Sequence, residues 1–137
     1  MMPVIVWSDE KFSVNIEMID KQHKKMIDMI NELLEAVQAK QENNILAQLL
    51  IKLVNYTHYH FSTEERYFKI YNYPDTTVHK AQHDHLREQV AALDERYYSG
   101  QKMITGEVMG LLNDWLADHI IGSDRKFGSF LKGKGAF

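Results

Sequence analysis

The stretch "IEMIDKQHKKMIDMINELLEAV", residues 16–37, decides the fold. Its apolar residues recur at alternating steps of four and three, the spacing of a helix that buries one face in a bundle. We predict a helix from about Ile16 to Ala39. The members of its seam are Ile19, His23, Met26, Ile30, Leu33 and Val37. A histidine therefore stands where a bundle core normally holds leucine, which indicates that the core contains more than hydrocarbon.

Three further long segments and a short one show the same helical periodicity. The predicted ranges are Asn44–Tyr71, Thr77–Tyr98, Thr105–Ile121 and a tail helix at Asp124–Leu131. Pro74 separates the second helix from the third, because the residue before a proline disfavours helical backbone. Short connections make consecutive helices antiparallel neighbours. The sequence therefore predicts an all-α fold, an antiparallel up-down-up-down four-helix bundle.

The chain has 137 residues, which suits one domain with a sizeable core. We expect a single domain over 1–137, with an extended N-terminal arm at 1–15, the bundle at 16–121 and the tail at 122–137. Trp7 and Phe12 are the residues expected to hold the arm against the bundle.

Composition narrows the class of function. The net charge of −3 gives no reason to expect nucleic acid as a partner. The chain has no cysteine, so disulfides and thiolate metal sites are excluded within it. No apolar stretch is long enough to span a membrane, and the first residues lack the pattern of a signal peptide. We therefore expect a cytoplasmic protein.

Every predicted helix carries a polar, metal-capable residue in its apolar seam. These residues are His23, His60, Glu64, His79, His83 and His119. Burying an unsatisfied imidazole costs roughly 1–3 kcal/mol and an unpaired carboxylate several kcal/mol. A domain is stable by only about 5–15 kcal/mol, so these groups must be satisfied together. In antiparallel helices they lie at a similar depth, and bound metal would satisfy them.

The spacing of the donors supports one centre. A step of four turns a helix by about 400°, so His60 and Glu64, like His79 and His83, lie only about 40° apart. Asp124 follows His119 by five residues, which would diverge in an unbroken α-helix. Gly122 lies between them, and we predict that the chain bends there and returns Asp124 to the site.

The donor set is too large for one ion, because it contains five imidazoles and two carboxylates. Two metals bridged by Glu64 and Asp124 would use every donor. Nitrogen and oxygen donors without sulfur suit iron, manganese, copper or zinc. His58 and His85 lie two residues from His60 and His83, so each is expected to point about 160° away from the centre.

Four motifs together resemble the hemerythrins, specifically the single-domain bacterial members. They are "IDKQHKKM" at 19–26, "HFSTEE" at 60–65, "HKAQH" at 79–83 and "WLADHIIGSD" at 115–124. The resemblance covers nearly the whole chain. It implies a non-haem di-iron site with a hydroxide bridge that binds O2 reversibly.

The resemblance also implies a role for each site residue. One iron would be held by His79, His83 and His119, and the other by His23 and His60. Glu64 and Asp124 would bridge the two ions. The residues expected to line the O2 pocket are Trp115, Leu116 and Ile120. Asn15 replaces the glycine that the family often has before its first helix, and Phe127 replaces a common tyrosine.

The resemblance and the donor chemistry favour an O2-binding protein for storage, transport or delivery, and not an enzyme. A histidine-rich set with two carboxylates favours mild, reversible oxidation, and the predicted pocket is apolar. Two alternatives remain: an O2 or redox sensor that acts through a partner, and a di-iron peroxidase or NO-handling enzyme. O2 is the expected ligand, and an O2-consuming protein is a possible partner. The sequence leaves the oligomeric state open.

Overall fold

The structure is a computed structural model that describes residues 5–41, 43–98, 111 and 114–135. These residues form helices and no strand, which confirms the predicted all-α class. The elements are α1 (Asp9–Phe12), α2 (Glu17–Gln38), α3 (Asn43–Tyr71), α4 (Thr76–Tyr98), a π-helical segment π1 (Asp114–Asp124) and α5 (Arg125–Gly133). None of these helices has an apolar stretch that would cross a bilayer.

The boundaries of α2, α3 and α4 all lie within one residue of the predicted ones. Helix α2 begins and ends one residue inside its predicted range. The predicted fourth helix, Thr105–Ile121, differs. Residues 105–110, 112 and 113 lie outside the described part. The described portion is π-helical and continues through Gly122 to Asp124.

Consecutive long helices run antiparallel, as their cross-contacts show. His23 of α2 contacts His60 of α3. Along α3, Phe61 contacts His83 of α4, and the later residue Phe68 contacts His79, which comes earlier in α4. Neighbouring helices therefore pass the site in opposite chain directions. This alternation brings residues that are distant in sequence to one level of the bundle.

The N-terminal arm is not wholly extended, so that prediction was wrong for residues 9–12. The Ser8 hydroxyl accepts a hydrogen bond from the Lys11 backbone N–H and caps the short helix α1. Phe12 at its end is buried in the core, and the Trp7 ring lies 5.6 Å from the Phe12 ring, measured between centroids. The two aromatic side chains thus hold the arm as expected.

The turn into α2 requires a left-handed residue. Asn15 has φ of +62°, a conformation that asparagine tolerates better than most residues. The Asp20 carboxylate accepts hydrogen bonds from the Ser13 hydroxyl at 2.6 Å and the Val14 backbone N–H at 2.9 Å. These bonds fix the entry angle of α2, so asparagine supports the turn in place of glycine.

The interior has three layers along the bundle. The apolar half is the layer beyond the donors and includes Met26, Ile30, Leu33, Leu50, Leu53, Leu86, Val90 and Trp115. The terminal apolar cluster, at the other end, is Val14, Ile16, Ile19, Phe68, Tyr73, Phe127 and Leu131. The predicted donors lie between these two layers, since His23 falls between Ile19 and Met26 on α2.

Candidate metal centre

All seven predicted donors meet in the interior. Each residue is at most 2% exposed to solvent. The cluster takes one residue from α2, two from α3, two from α4 and two from π1: His23, His60, Glu64, His79, His83, His119 and Asp124. We call this set the donor cluster. Its members come from α2, α3, α4 and π1.

The way in which Asp124 reaches the cluster differs from the prediction. The chain does not bend at Gly122, because π1 continues from residue 114 to residue 124. A π-helix pairs each residue with the one five positions away, so it brings residues at that spacing to the same side. His119 Nε2 consequently lies 3.1 Å from Asp124 Oδ1. The wide helical turn performs the alignment that we had assigned to a glycine hinge.

The donors form two overlapping groups that share both carboxylates. One group is Glu64, His79, His83, His119 and Asp124; the other is His23, His60, Glu64 and Asp124. Within each group the donor atoms all lie within 4.8 Å of one another. The sharing indicates two adjacent cation positions rather than one.

The Asp124 carboxylate faces both groups, one oxygen to each. Its Oδ1 lies 2.8 Å from His79 Nε2, and its Oδ2 lies 2.8 Å from His23 Nε2. The Glu64 carboxylate also faces both groups, but through one oxygen: its Oε1 lies 2.9 Å from His60 Nε2 and 3.5 Å from His83 Nε2, while its Oε2 lies 3.9 Å from His79 Nε2. Each carboxylate is therefore placed to bridge two cations.

Several donor atoms lack the partners that a buried polar group requires. Both Glu64 oxygens and Asp124 Oδ2 make no well-oriented hydrogen bond within the described part of the chain. The Nε2 atoms of His23 and His60 lie 3.1 Å apart. Lone pairs thus converge on common points, which is costly unless a cation occupies them. The donor cluster fits a metal site.

Two residues outside the donor cluster orient imidazoles through hydrogen bonds at Nδ1, the ring nitrogen that does not face the cluster. Gln22 Oε1 lies 2.6 Å from His60 Nδ1, and Glu65 Oε2 lies 2.7 Å from His83 Nδ1. Each bond holds the proton on Nδ1 and turns the Nε2 lone pair inward. The sequence analysis missed both residues. The available signal was their adjacency to donors, since Gln22 precedes His23 and Glu65 follows Glu64.

When no cation is present, the charges within the donor cluster shift the pKa values of its histidines. Burial is the largest single effect at His60 and disfavours its charged form, but the charges and hydrogen bonds of Glu64 and Asp124 together outweigh burial and raise the His60 pKa to about 9. Burial is also the largest single effect at His119, and Asp124 and Glu64 together outweigh it, so the His119 pKa rises to about 10. At His23 burial dominates and lowers the pKa. In the absence of metal, protons on imidazoles therefore balance the carboxylates.

The two carboxylates stay ionised for the same reason. Burial raises the pKa values of both Glu64 and Asp124, and the Asp124 charge further raises that of Glu64. The neighbouring imidazoles outweigh these effects and lower both pKa values. At Glu65 burial is outweighed by hydrogen bonds from His83 and Arg87, which lower its pKa. Ionised carboxylates are the form that binds cations.

Aromatic rings close the cluster to water. Phe61 stacks on His83 at 4.0 Å between centroids, with planes 8° apart. Phe68 lies 4.8 Å from His79, and Phe127 packs edge-on against His79 at 5.9 Å. Phe127 is fully buried, so the phenylalanine fills space in the terminal apolar cluster where a tyrosine would bring a hydroxyl.

A small apolar cavity of about 30 Å³ adjoins the donor cluster. Its wall includes Met26, Thr57 and Leu86, which lie one helical turn from His23, His60 and His83. The remaining lining residues are Ile30, Leu53, Val90, Leu111 and Trp115. Only the tryptophan among these residues was predicted as a pocket residue, because the spacing of the others is that of ordinary core.

The predicted O2-pocket residues take different positions. Trp115 lines the cavity, and its ring lies 6.2 Å from the His23 ring, measured between centroids. Ile120 is buried in the apolar half but is not part of the cavity wall. The side chain of Leu116 lies outside the described part. His58 and His85 are exposed, which confirms that they point away from the cluster.

The fold and the donor cluster define a helical-bundle protein with a buried site for metal cations. Residues 14–131 match the family described as Hemerythrin HHE cation binding domain. The chain therefore belongs to the hemerythrin family.

Curated relatives and solved structures agree with this assignment. The chain is 31% identical to a bacteriohemerythrin of Methylococcus capsulatus, over 95% of this chain and 98% of the relative. It is 35% identical to a bacteriohemerythrin of Pseudomonas aeruginosa, over 90% of this chain and 78% of the relative. A crystal structure of wild-type hemerythrin superposes with a TM-score of 0.84, at 29% identity, over 93% of this chain and 97% of the other.

Proposed function

We propose that this protein binds two iron ions in the donor cluster and uses them to bind O2 reversibly, for storage, transport or delivery. The observation that carries the proposal is the pair of overlapping donor groups that share Glu64 and Asp124. Membership of the hemerythrin family supports iron as the metal and O2 as the ligand.

The residues would divide between the ions as the two groups do. His79, His83 and His119 would hold one iron, and His23 and His60 the other, with both carboxylates shared. When bound at these residues, the iron pair would supply the electrons needed for reversible O2 binding. The second position has one imidazole fewer, so this position has room for an external ligand.

The cavity supports binding in preference to turnover. It lies on the side of His23, next to Trp115, and its lining is almost wholly apolar. Its single hydroxyl, that of Thr57, donates to the Leu53 carbonyl oxygen at 2.7 Å and is already committed. A ligand there meets no free acid or base among the lining residues. Exclusion of water protects a bound ligand from protonation and loss.

The test is an oxygenation cycle on the intact protein. Anaerobic protein loaded with Fe(II) is exposed to O2 and then purged with inert gas, while the visible spectrum is recorded. We expect a charge-transfer band that appears with O2 and disappears on purging, over several cycles. The control is protein loaded with Zn(II), which fills the site without redox chemistry.

Two outcomes contradict the proposal. A band that forms once and never reverses, with release of hydrogen peroxide, indicates an enzyme or a redox sensor. No O2-dependent band in protein that has bound two Fe(II) per chain indicates a site that does not take O2.

A further inference from the structure

The outer hydrogen bonds on the two sides of the donor cluster are chemically unequal. A charged carboxylate, Glu65, accepts from His83, whereas a neutral amide, Gln22, accepts from His60. We propose that Glu65 is a positioning residue that strengthens metal binding on the three-histidine side and lowers the reduction potential of the pair. The inference rests on the proposed function, because it concerns the same two metal positions.

The contact between Glu65 and His83 is short and sheltered. Glu65 Oε2 lies 2.7 Å from His83 Nδ1, and the Glu65 side chain is only 19% exposed. The opposite nitrogen, His83 Nε2, faces His119 Nε2 and Glu64. The imidazole therefore connects an outer carboxylate to the inner donor group through one ring.

Arg87 fixes the position of that carboxylate. Its Nη1 lies 2.9 Å from Glu65 Oε2 and 2.9 Å from Asp84 Oδ1, and its side chain is 17% exposed. The guanidinium also lies over the Phe61 ring, which stacks on His83. Glu65 is thus held as an ionised acceptor and cannot rotate away without losing both donors.

Gln22 forms the matching contact on the other side, but without charge. Its Oε1 lies 2.6 Å from His60 Nδ1, and the residue is 7% exposed. The two contacts have nearly the same length, so they differ mainly in the charge of the acceptor and in the Arg87 guanidinium that pairs with Glu65. Glutamate and glutamine have nearly the same shape, and the chain therefore offers two matched exchanges.

The physical consequence follows from ligand basicity. A carboxylate that accepts the Nδ1 proton makes the imidazole a stronger electron donor through Nε2. A more basic ligand binds cations more tightly and stabilises the oxidised metal. The three-histidine position should therefore hold its metal more firmly than the position backed by Gln22.

The experiment compares wild type with Glu65→Gln, Gln22→Glu and Asp84→Asn. Asp84→Asn is the matched control, because it removes one negative charge beside Arg87 without contact to His83. Metal affinity is measured for each protein by anaerobic Fe(II) competition with a chelator. Midpoint potentials of the iron-loaded proteins are measured by spectroelectrochemical titration.

We expect Glu65→Gln to weaken Fe(II) binding at one of two positions by about 10–100-fold and to raise the potential. Gln22→Glu should lower the potential, and loss of structure would not shift the potential in that direction. Asp84→Asn should change affinity by less than about 3-fold, below the range for outer-ligand substitutions.

Two results overturn the inference while leaving the proposed function intact: equal behaviour of Glu65→Gln and Asp84→Asn, or equal potentials in wild type and Gln22→Glu. If Glu65→Gln does not fold, the Gln22→Glu measurement decides alone. A wild type that binds fewer than two ions refutes the proposed function instead.

Discussion

The donor cluster and the apolar half occupy neighbouring layers of the same helices, yet they are stabilised in different ways. Leu50, Leu33 and Ile30 in the apolar half are satisfied by contact and by removal from water. His23 and Glu64, one layer away, are equally buried but leave polar atoms unpaired. The same helical periodicity thus produces one layer that is complete on its own and one that needs a cation.

This difference shows why burial alone does not identify a core. On α2, Met26 and His23 lie one turn apart on one seam, and both are buried. What separates them is whether the surrounding atoms can satisfy the side chain.

Removal of metal should lower the free energy of unfolding about as much as the largest core truncations do. A ligand that binds only the folded state stabilises it by about 4 kcal/mol at a concentration 1,000 times its dissociation constant. We expect the free energy of unfolding, measured by urea denaturation, to fall by about that amount when a chelator removes the Fe(II). Equal stability with and without metal would mean that the donor layer is complete without a cation.

Leu50→Ala should destabilise the protein whether or not metal is bound. Leu50 is fully buried in the apolar half, and such truncations cost about 2–5 kcal/mol. We expect similar losses in urea denaturation of the metal-free and metal-loaded forms, with unchanged metal content. A loss confined to the metal-loaded form would show that the two layers are not separable.

His83→Ala and His85→Ala test the two faces of one helix. His83 is buried in the donor cluster, whereas His85 is exposed. We expect His83→Ala to weaken Fe(II) binding by more than about 100-fold, because loss of an outer hydrogen bond to a ligand alone costs 10–100-fold. Equilibrium dialysis measures the effect.

His85→Ala is the control for that substitution and should retain wild-type iron content. Equal iron loss in the two variants would contradict the assignment of faces on α4.

Raising the pH should destabilise the metal-free protein specifically. The folded-state pKa values of His60 and His119, about 9 and 10, lie above the unfolded value near 6.5. Their contribution is therefore complete below pH 6.5 and is lost as the pH rises through 9 to 10. We expect the free energy of unfolding of the metal-free protein, measured by urea denaturation, to fall between pH 7 and pH 10 by at least about 1 kcal/mol.

The metal-loaded protein is the reference for this experiment. The cation takes the place of the imidazole protons, so its urea midpoint should vary much less over the same range. A metal-free protein that becomes more stable as the pH rises from 7 to 10 would contradict the charge balance within the donor cluster.

The sequence was sufficient for the long helices and for the donor cluster because both depend on period. A seam that repeats every three or four residues specifies which face is buried, and histidines on that face stand out against leucine. The five-residue step from His119 to Asp124 fits no α-helical period. Its solution, a π-helical turn, depends on hydrogen bonds that residue types do not encode.

Helical periodicity cannot predict the roles of residues that lie outside the seams. Gln22 and Glu65 flank donors, and their side chains reach imidazoles on neighbouring helices. Only the rotation of each helix in three dimensions decides whether such a residue faces solvent or a ligand. Of the cavity wall, only Trp115 was predicted, because a gap in packing is a property of several helices together.

The central claim is that the donor cluster holds two cations at once. The most direct test is elemental analysis of protein loaded anaerobically with Fe(II), freed of excess metal and assayed against an accurate protein concentration. We predict two iron ions per chain. One ion per chain, or none, would contradict the shared-carboxylate arrangement on which the proposed function depends.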